Sequence, residues 1–256
     1  MLLFVSDMHF GRDAPDAERA RERDLVACLK AHEPDVERLF IVGDLFDAYI
    51  EYRHLVPKGA VRVLALLADW AERGIPVTYL VGNHDPWHRD YFGESLGIDV
   101  HMDSVELEAY GRRLYIHHGD GLDPSSARYN TLKPWLRHPL PVWIYTNLLP
   151  GDVGMRLARK VAQRLATTDR SEANRMIYRD VAQHLLDTHG GDAVVMGHTH
   201  APEHLHFANG EYVNLGAWQH KRTFAMLDEA GFRLMRWNGT SAEPVEARAL
   251  PNASPH

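Results

Sequence analysis

A layered α/β fold, with two sheets packed face to face and helices outside, is what this sequence predicts, and three observations carry it. The first half alternates short β-branched or apolar runs with amphipathic segments, which marks a largely parallel inner sheet. From about residue 105 the texture changes to strands joined by turns, without intervening helices. Five of the strand-like runs, LLFV, RLFIV, VTYLV, RLYI and AVVM, each lead directly into a polar cluster.

Taken in order, strand 2–5 delivers Ser6-Asp7-Met8-His9. Residues 16–31 are charged, with Leu25 and Leu29 spaced by four, and read as a solvent-facing helix ended by Pro34. Strand 38–42 delivers Gly43-Asp44-Leu45-Phe46-Asp47. A helix over 59–73 carries Val63, Leu64, Leu67 and Ala71 on one face and stops at Gly74. Strand 77–81 delivers Gly82-Asn83-His84-Asp85. A hairpin over 105–109 and 113–116 turns at Tyr110-Gly111 and ends at His117-His118-Gly119-Asp120. Strand 193–196 delivers Gly197-His198-Thr199-His200, and strands 212–215, 223–227 and 232–237 complete the chain, with turns at Asn209-Gly210 and Gly231.

The middle segment, about 125–170, departs from this rhythm. Trp135, Trp143, Ile144, Tyr145, Leu148 and Leu149 stand there among prolines, followed by a helix over 155–165 with Leu157, Val161 and Leu165 on one face and Arg156, Arg159, Lys160 and Arg164 on the others. Between positions 133 and 179 there are nine basic and three acidic residues, so +6 within a chain of net charge −7. Residues 1–240 read as one domain that includes this insertion, and 241–256, rich in Pro, Ala and Ser, as a disordered tail.

The net charge of −7 argues against nucleic-acid binding. The N-terminus shows no charged leader or long apolar region, and no run reaches the roughly 20 apolar residues of a membrane span, so a cytoplasmic location is expected. The single cysteine, Cys28, reads as a small buried hydrophobe. Histidine, of which there are 17, is the abundant ligand type. With carboxylates and without thiols it favours manganese, zinc or iron. Asp44, at the end of a central strand, suits a carboxylate bridging two ions, and an extended backbone would put Asp7 with His9, and His198 with His200, on common sides.

Any one of these clusters alone reads as an ordinary turn or helix cap. Together, the Asp-x-His, Gly-Asp-x-x-Asp, Gly-Asn-His-Asp, His-Gly-Asp and Gly-His-x-His steps from Asp7 to His200 resemble the calcineurin-like metallophosphoesterases. The resemblance implies a four-layer α/β/β/α sandwich of two packed mixed sheets with a helical lid insertion, and two divalent metal ions, Mn²⁺ foremost, with Zn²⁺, Fe or Mg²⁺ as other candidates. It implies Asp7, His9, Asp44 and His200 around one ion, and Asp44, Asn83, His118 and His198 around the other, with His117 turned away.

Within that family the phrases Gly43-Asp44-Leu45-Phe46-Asp47-Ala48, Lys133-Pro134-Trp135-Leu136, Ser171-Glu172-Ala173-Asn174 and Leu215-Gly216-Ala217-Trp218 resemble the UDP-2,3-diacylglucosamine pyrophosphatases of lipid A biosynthesis. The well-studied branch has Arg where this chain has His84. The resemblance implies pyrophosphate hydrolysis of a nucleotide-sugar lipid, giving UMP and a lipid-linked sugar phosphate. On that reading His84 is the catalytic residue, with Asp85 orienting its ring. Asp47 and Asp120 hold ligand histidines or loops, and Arg170, Ser171, Asn174 and Arg175 contact substrate. The insertion either receives acyl chains, resting on the inner leaflet of the membrane, or packs plainly on the core. A soluble phosphoesterase for another nucleotide or phosphodiester, and a noncatalytic binding module on the same fold, are the alternatives. Oligomeric state is not legible.

Overall fold

The computed structural model describes residues 1–165 and 171–245. The first sheet has seven strands in the order β12-β11-β10-β1-β2-β3-β4, formed by β1 (Leu2–Val5), β2 (Arg38–Val42), β3 (Val77–Leu80), β4 (Asp99–His101), β10 (Thr223–Asp228), β11 (Gly231–Trp237) and β12 (Ala242–Pro244). The second has five in the order β5-β6-β7-β9-β8, from β5 (Val105–Ala109), β6 (Arg112–His117), β7 (Ala193–Met196), β8 (Glu203–Phe207) and β9 (Gly210–Asn214). In the first sheet β1, β2, β3 and β4 run parallel and β10, β11 and β12 continue it antiparallel; in the second β6, β7 and β9 run parallel, with β5 and β8 antiparallel at the edges.

Strand alternation sorts the core into layers. Leu2 and Phe4 of β1 point inward with Phe40, Val42 and Leu80, against Leu114, Ile116, Val195 and Val213 of the other sheet. Leu3 and Val5 point outward, under α1 (Pro15–His32) and α2 (Val61–Glu72). The outer face of the second sheet is covered by α6 (Glu172–His189) through Tyr178, Ala182, Leu185 and Leu186. The result is the α/β/β/α sandwich. The buried face of α2 centres on Val63, Leu66, Leu67 and Trp70, rotated from the predicted stripe so that Leu64 and Ala71 sit at its edge.

Several elements differ from expectation. The insertion forms α3 (Ala127–Arg137), α4 (Pro139–Leu148) and α5 (Gly151–Leu165), where the sequence predicted one helix. Pro139 begins α4, a position that needs no backbone donor, and Pro134 lies inside α3. β8 escaped prediction because Glu203-His204-Leu205-His206 reads as polar, yet Arg179 pairs with Glu203 and Glu211 with His204. Residues 242–244, expected in a disordered tail, pair with Met235, Arg236 and Trp237. A short helix, α7 (Trp218–Lys221), precedes β10.

Candidate metal centre

The C-terminal ends of β1, β2, β3, β6 and β7 meet at one edge of the sandwich, and each releases its polar cluster into a short loop there. The loop backbones are unusual. Asp7, His9, Asp44, His198 and His200 have φ of 55°, 48°, 53°, 64° and 55°. Left-handed backbone is disfavoured for residues with a Cβ, least so for Asn, Asp and His, and it concentrates at functional sites. The expected extended alternation is therefore not what joins Asp7 to His9, or His198 to His200. Left-handed turns do it, folding the chain back so that alternate side chains converge. Glycine does the rest: a methyl at Gly82 would overlap the Asp44 carboxylate, one at Gly43 the His118 ring, and one at Gly197 Ser6 and the Asp7 carboxylate.

Two groups of ligand atoms share the space. Asp7 Oδ1, His9 and His200 converge, His200 Nε2 lying 3.0 Å and His9 Nε2 3.6 Å from that oxygen, with the two ring nitrogens 3.2 Å apart. Asp44 Oδ2 lies 3.3 Å from His118 Nε2 and 3.7 Å from His9 Nε2, so it faces both groups. Asn83 Oδ1 is 3.3 Å from His118 Nε2, and the His198 ring lies 5.2 Å from that of His118. The structure thus gathers all seven predicted ligands. Asp7 Oδ1 is buried without a hydrogen-bond donor, as is Asp47 Oδ2. An uncompensated carboxylate oxygen in the interior is costly unless a cation completes it. Nitrogen and oxygen donors around two centres, with a carboxylate between, fit two divalent ions of the manganese, zinc or iron type.

Neighbours fix the ligands. His118 Nδ1 donates to the Val42 carbonyl at 2.9 Å, leaving Nε2 for the centre, while His117 accepts from the Gly119 N–H on its own side of the loop. Asp47 Oδ1 lies 3.6 Å from His9 Nδ1 and 3.6 Å from Arg12. His84 Nδ1 donates to the Asp47 carbonyl at 3.0 Å, and a ring nitrogen of His84 lies within 4.8 Å of ligand atoms of Asp44 and His9. Asp85, expected to orient His84, does something else. It accepts the N–H groups of Gly82 and Phe46 and the Tyr79 hydroxyl, stapling the β2 and β3 loops together. A carboxylate two residues past Asn83 points down into the sheet, away from the ring it follows in sequence.

Asp120 clamps the insertion. Lys133 Nζ lies 2.9 Å and Tyr129 Oη 2.8 Å from its buried carboxylate, with Arg137 at 3.7 Å. Lys133, Tyr129 and Arg137, with Arg12 near Asp47, are the site residues that sequence reasoning missed; only the i, i+4 spacing of Lys133 and Arg137 hinted at a shared face. Among the predicted substrate contacts, Ser171 caps α6 by accepting the Asn174 N–H, Arg175 lies near Glu172 and Glu203, and Arg170 lies outside the described residues.

Burial pulls the His9 ring down, but the Asp47 and Asp7 carboxylates override it and raise His9 to about 9. Burial likewise opposes His118, and Asp44 lifts it to about 10. Burial pushes Asp44 up, while His118 and His84 hold it well below the carboxylate range. His198, buried and beside the His118 charge, is depressed to about 4. Without metal, then, His9 and His118 carry protons at neutral pH. Their stabilisation is full below the ordinary value of 6.5 and is lost as pH rises through about 9 to 10. Metal requires neutral rings. Loading the metal-free protein with Mn²⁺ or Zn²⁺ at pH 7.5 in weak buffer should release a proton from each of these two rings, and the release should fade above pH 10; pH-stat titration measures it, and no release would sink the assignment.

The insertion lies beside the centre. Trp87 Nε1 donates to the Leu136 carbonyl at 2.8 Å, Gly154 packs on Tyr52, and the Arg159 guanidinium of α5 lies beside Gly11. Away from these anchors it exposes apolar side chains: Trp135 at 65%, Trp143 at 58% and Leu148 at 71%, with Leu140, Val153, Leu157 and Val161. No helix among the described residues is long and apolar enough to cross a membrane.

Comparison with known proteins bears on the site. The family model for calcineurin-like phosphoesterases matches residues 1–202. A UDP-2,3-diacylglucosamine hydrolase of Porphyromonas gingivalis is 33% identical over 150 residues, 58% of this chain and 57% of that relative's length. One from Pseudomonas fluorescens is 28% identical over 240 residues, covering 91% of this chain and 94% of its own, and one from Pseudomonas entomophila is 28% identical over 242, covering 91% and 98%.

Proposed function

The chain belongs to the calcineurin-like phosphoesterase family, and from that premise we propose that it is a two-metal hydrolase that cleaves the pyrophosphate of UDP-2,3-diacylglucosamine to UMP and 2,3-diacylglucosamine 1-phosphate. The observation that carries the substrate is the insertion, whose helices set exposed apolar side chains beside a phosphoesterase centre. An amphiphile with acyl chains needs such a surface, and a nucleotide sugar alone does not.

Asp7, His9, Asp44 and His200 would hold one ion and Asp44, Asn83, His118 and His198 the other. Such a pair, Mn²⁺ in our reading, supplies positive charge that stabilises the attacking and leaving oxygens of an in-line displacement at phosphorus. The chain's own groups do the positioning. Asp47 holds His9 and, through its carbonyl, His84, so that His84 Nε2 faces the reacting phosphoryl group. When protonated, that nitrogen donates to a phosphoryl oxygen or to the departing sugar phosphate. Asp120 keeps α3 seated on the β6 loop, so the surface that receives the lipid is tied to the one that holds the metal.

Arg156, Arg159 and Lys160 of α5 lie among the exposed apolar residues Val153, Leu157 and Val161. A helix of that kind favours an anionic bilayer surface, which supports a peripheral position on the cytoplasmic face of the inner membrane, where this lipid substrate would be met. The test is UMP release from the diacyl substrate in mixed micelles, compared with UDP-N-acetylglucosamine and a simple phosphodiester. Strong preference for the lipid is expected; brisk hydrolysis of the phosphodiester with no UMP from the lipid would replace this reading with a soluble phosphoesterase. Trp135→Ser and Trp143→Ser should each raise KM for the lipid about tenfold or more, since burying a large apolar side chain contributes about 1.5–3 kcal/mol. kcat should stay within about twofold of the parent, and an unchanged KM would remove these tryptophans from the lipid surface.

A further inference from the structure

Away from the metal loops, at the far edge of the second sheet, is a cluster that the phosphoesterase reading does not use. β8 and β9 pair antiparallel, with His206 opposite Glu211 and His204 opposite Val213. Residues two apart on a strand share a face. Leu205 packs under α6 and Val213 between the sheets, so His204, His206 and Glu211 all face the inter-sheet side. Glu211 pairs with Ala193 at the start of β7, whereas His198 follows the end of that strand, which places this cluster at the opposite end of the sandwich from the metal loops.

Its geometry is that of three ligands around one point. His204 Nε2 lies 2.7 Å and His206 Nδ1 3.8 Å from the same oxygen, Glu211 Oε2, and the two rings are 4.7 Å apart. Zinc bonds of about 2.0–2.2 Å in a tetrahedral site separate ligand atoms by about 3.4 Å, a value these two distances bracket. His204 and Glu211 are buried, while His206 stands 68% exposed at the mouth of a cleft of about 610 Å³ lined also by Phe207, Asn209 and Phe232. Arg112 Nη1 donates to the other oxygen, Glu211 Oε1, at 2.8 Å, so the carboxylate is held in place with Oε2 turned to the histidines.

We propose that His204, His206 and Glu211 form a separate mononuclear site for a zinc-class transition ion, with a fourth position open to the cleft. Arg112 offsets the charge of Glu211, which disfavours Mg²⁺, Ca²⁺ and Mn²⁺, cations held chiefly by carboxylate charge. Two imidazoles and one carboxylate select Zn²⁺, Cu²⁺ or Ni²⁺. The ion would tie β8, the edge strand of its sheet, to β9.

The test does not depend on what the loops at the other end bind, because it reads a difference. Parent, His206→Ala and Glu211→Gln are loaded with Zn²⁺, passed through gel filtration and analysed for zinc per chain, alongside hydrolysis of a phosphodiester. His206 is exposed, so its removal leaves the fold intact. Each variant should hold one zinc fewer than the parent, with hydrolysis unchanged in His206→Ala. Equal zinc in parent and His206→Ala overturns the proposal. So does full zinc in Glu211→Gln with loss only in His206→Ala, which would mark a lone surface imidazole.

Discussion

Asp44→Asn loses hydrolysis by on the order of a thousandfold or more while keeping its fold, and Asp44→Ala loses at least as much. Asp44 is the carboxylate that faces both ligand groups, 3.3 Å from His118 and 3.7 Å from His9, and its Oδ1 accepts the His84 N–H at 2.9 Å. Asparagine keeps that hydrogen bond and the volume, so the loss reports on the missing Oδ2 ligand atom and its charge rather than on folding. The variant should also retain less than the parent's complement of metal at the loops. Removing the carboxylate takes away the charge that lifts His118 to about 10, so the metal-free variant should release fewer protons on loading than the parent. UMP release, metal content and the proton count check the three expectations together, and parental turnover in Asp44→Asn would end the two-metal reading.

His84→Ala lowers kcat by roughly 10²–10³-fold with metal content and fold unchanged. His84 stands beside the ligands rather than among the predicted seven. Its Nδ1 is committed to the Asp47 carbonyl and its ring meets His9 edge-on at 4.7 Å, which sets the ring beside the centre. His84→Arg should recover much of the loss, since a guanidinium at that place supplies the same positive charge to a phosphoryl oxygen and donates more hydrogen bonds. Steady-state kinetics with the diacyl substrate separates the cases. An Ala variant as fast as the parent removes His84 from the chemistry, and an Arg variant as slow as Ala would mean that proton transfer from the ring, rather than its charge, is what the reaction needs.

That the seven candidate residues meet at one edge was legible because each follows a short apolar strand at fixed spacing, and parallel strands bring their C-terminal ends to one edge. What lay beyond adjacent residues was not legible. Asp85 follows His84 directly, yet its carboxylate turns to Tyr79 and the Gly82 and Phe46 amides, a choice made by the packing of two loops. Asp120 was expected to hold a ligand histidine or a loop, and it binds Lys133 and Tyr129, residues of a helix that the neighbouring prolines concealed. β8 looked like a polar loop because the groups that neutralise Glu203 and His204 come from α6 and β9. The two-sheet core was easier to read, since period-two alternation in β1 already assigns Leu2 and Phe4 to one layer and Leu3 and Val5 to the other.

The left-handed backbone at Asp7, His9, Asp44, His198 and His200 sets an alphabet for the centre. Besides glycine, Asn, Asp and His are the residue types that tolerate that conformation best, and Asp and His are also the types that bind hard and borderline metals through oxygen and nitrogen. Glutamate or cysteine at these positions would each meet a backbone penalty of about 1–2 kcal/mol before touching an ion. The handedness of a few peptide units therefore restricts which elements this scaffold can adopt. These turns suit ligands that bind through oxygen and nitrogen, and a thiolate-rich centre would need the turns themselves to be rebuilt.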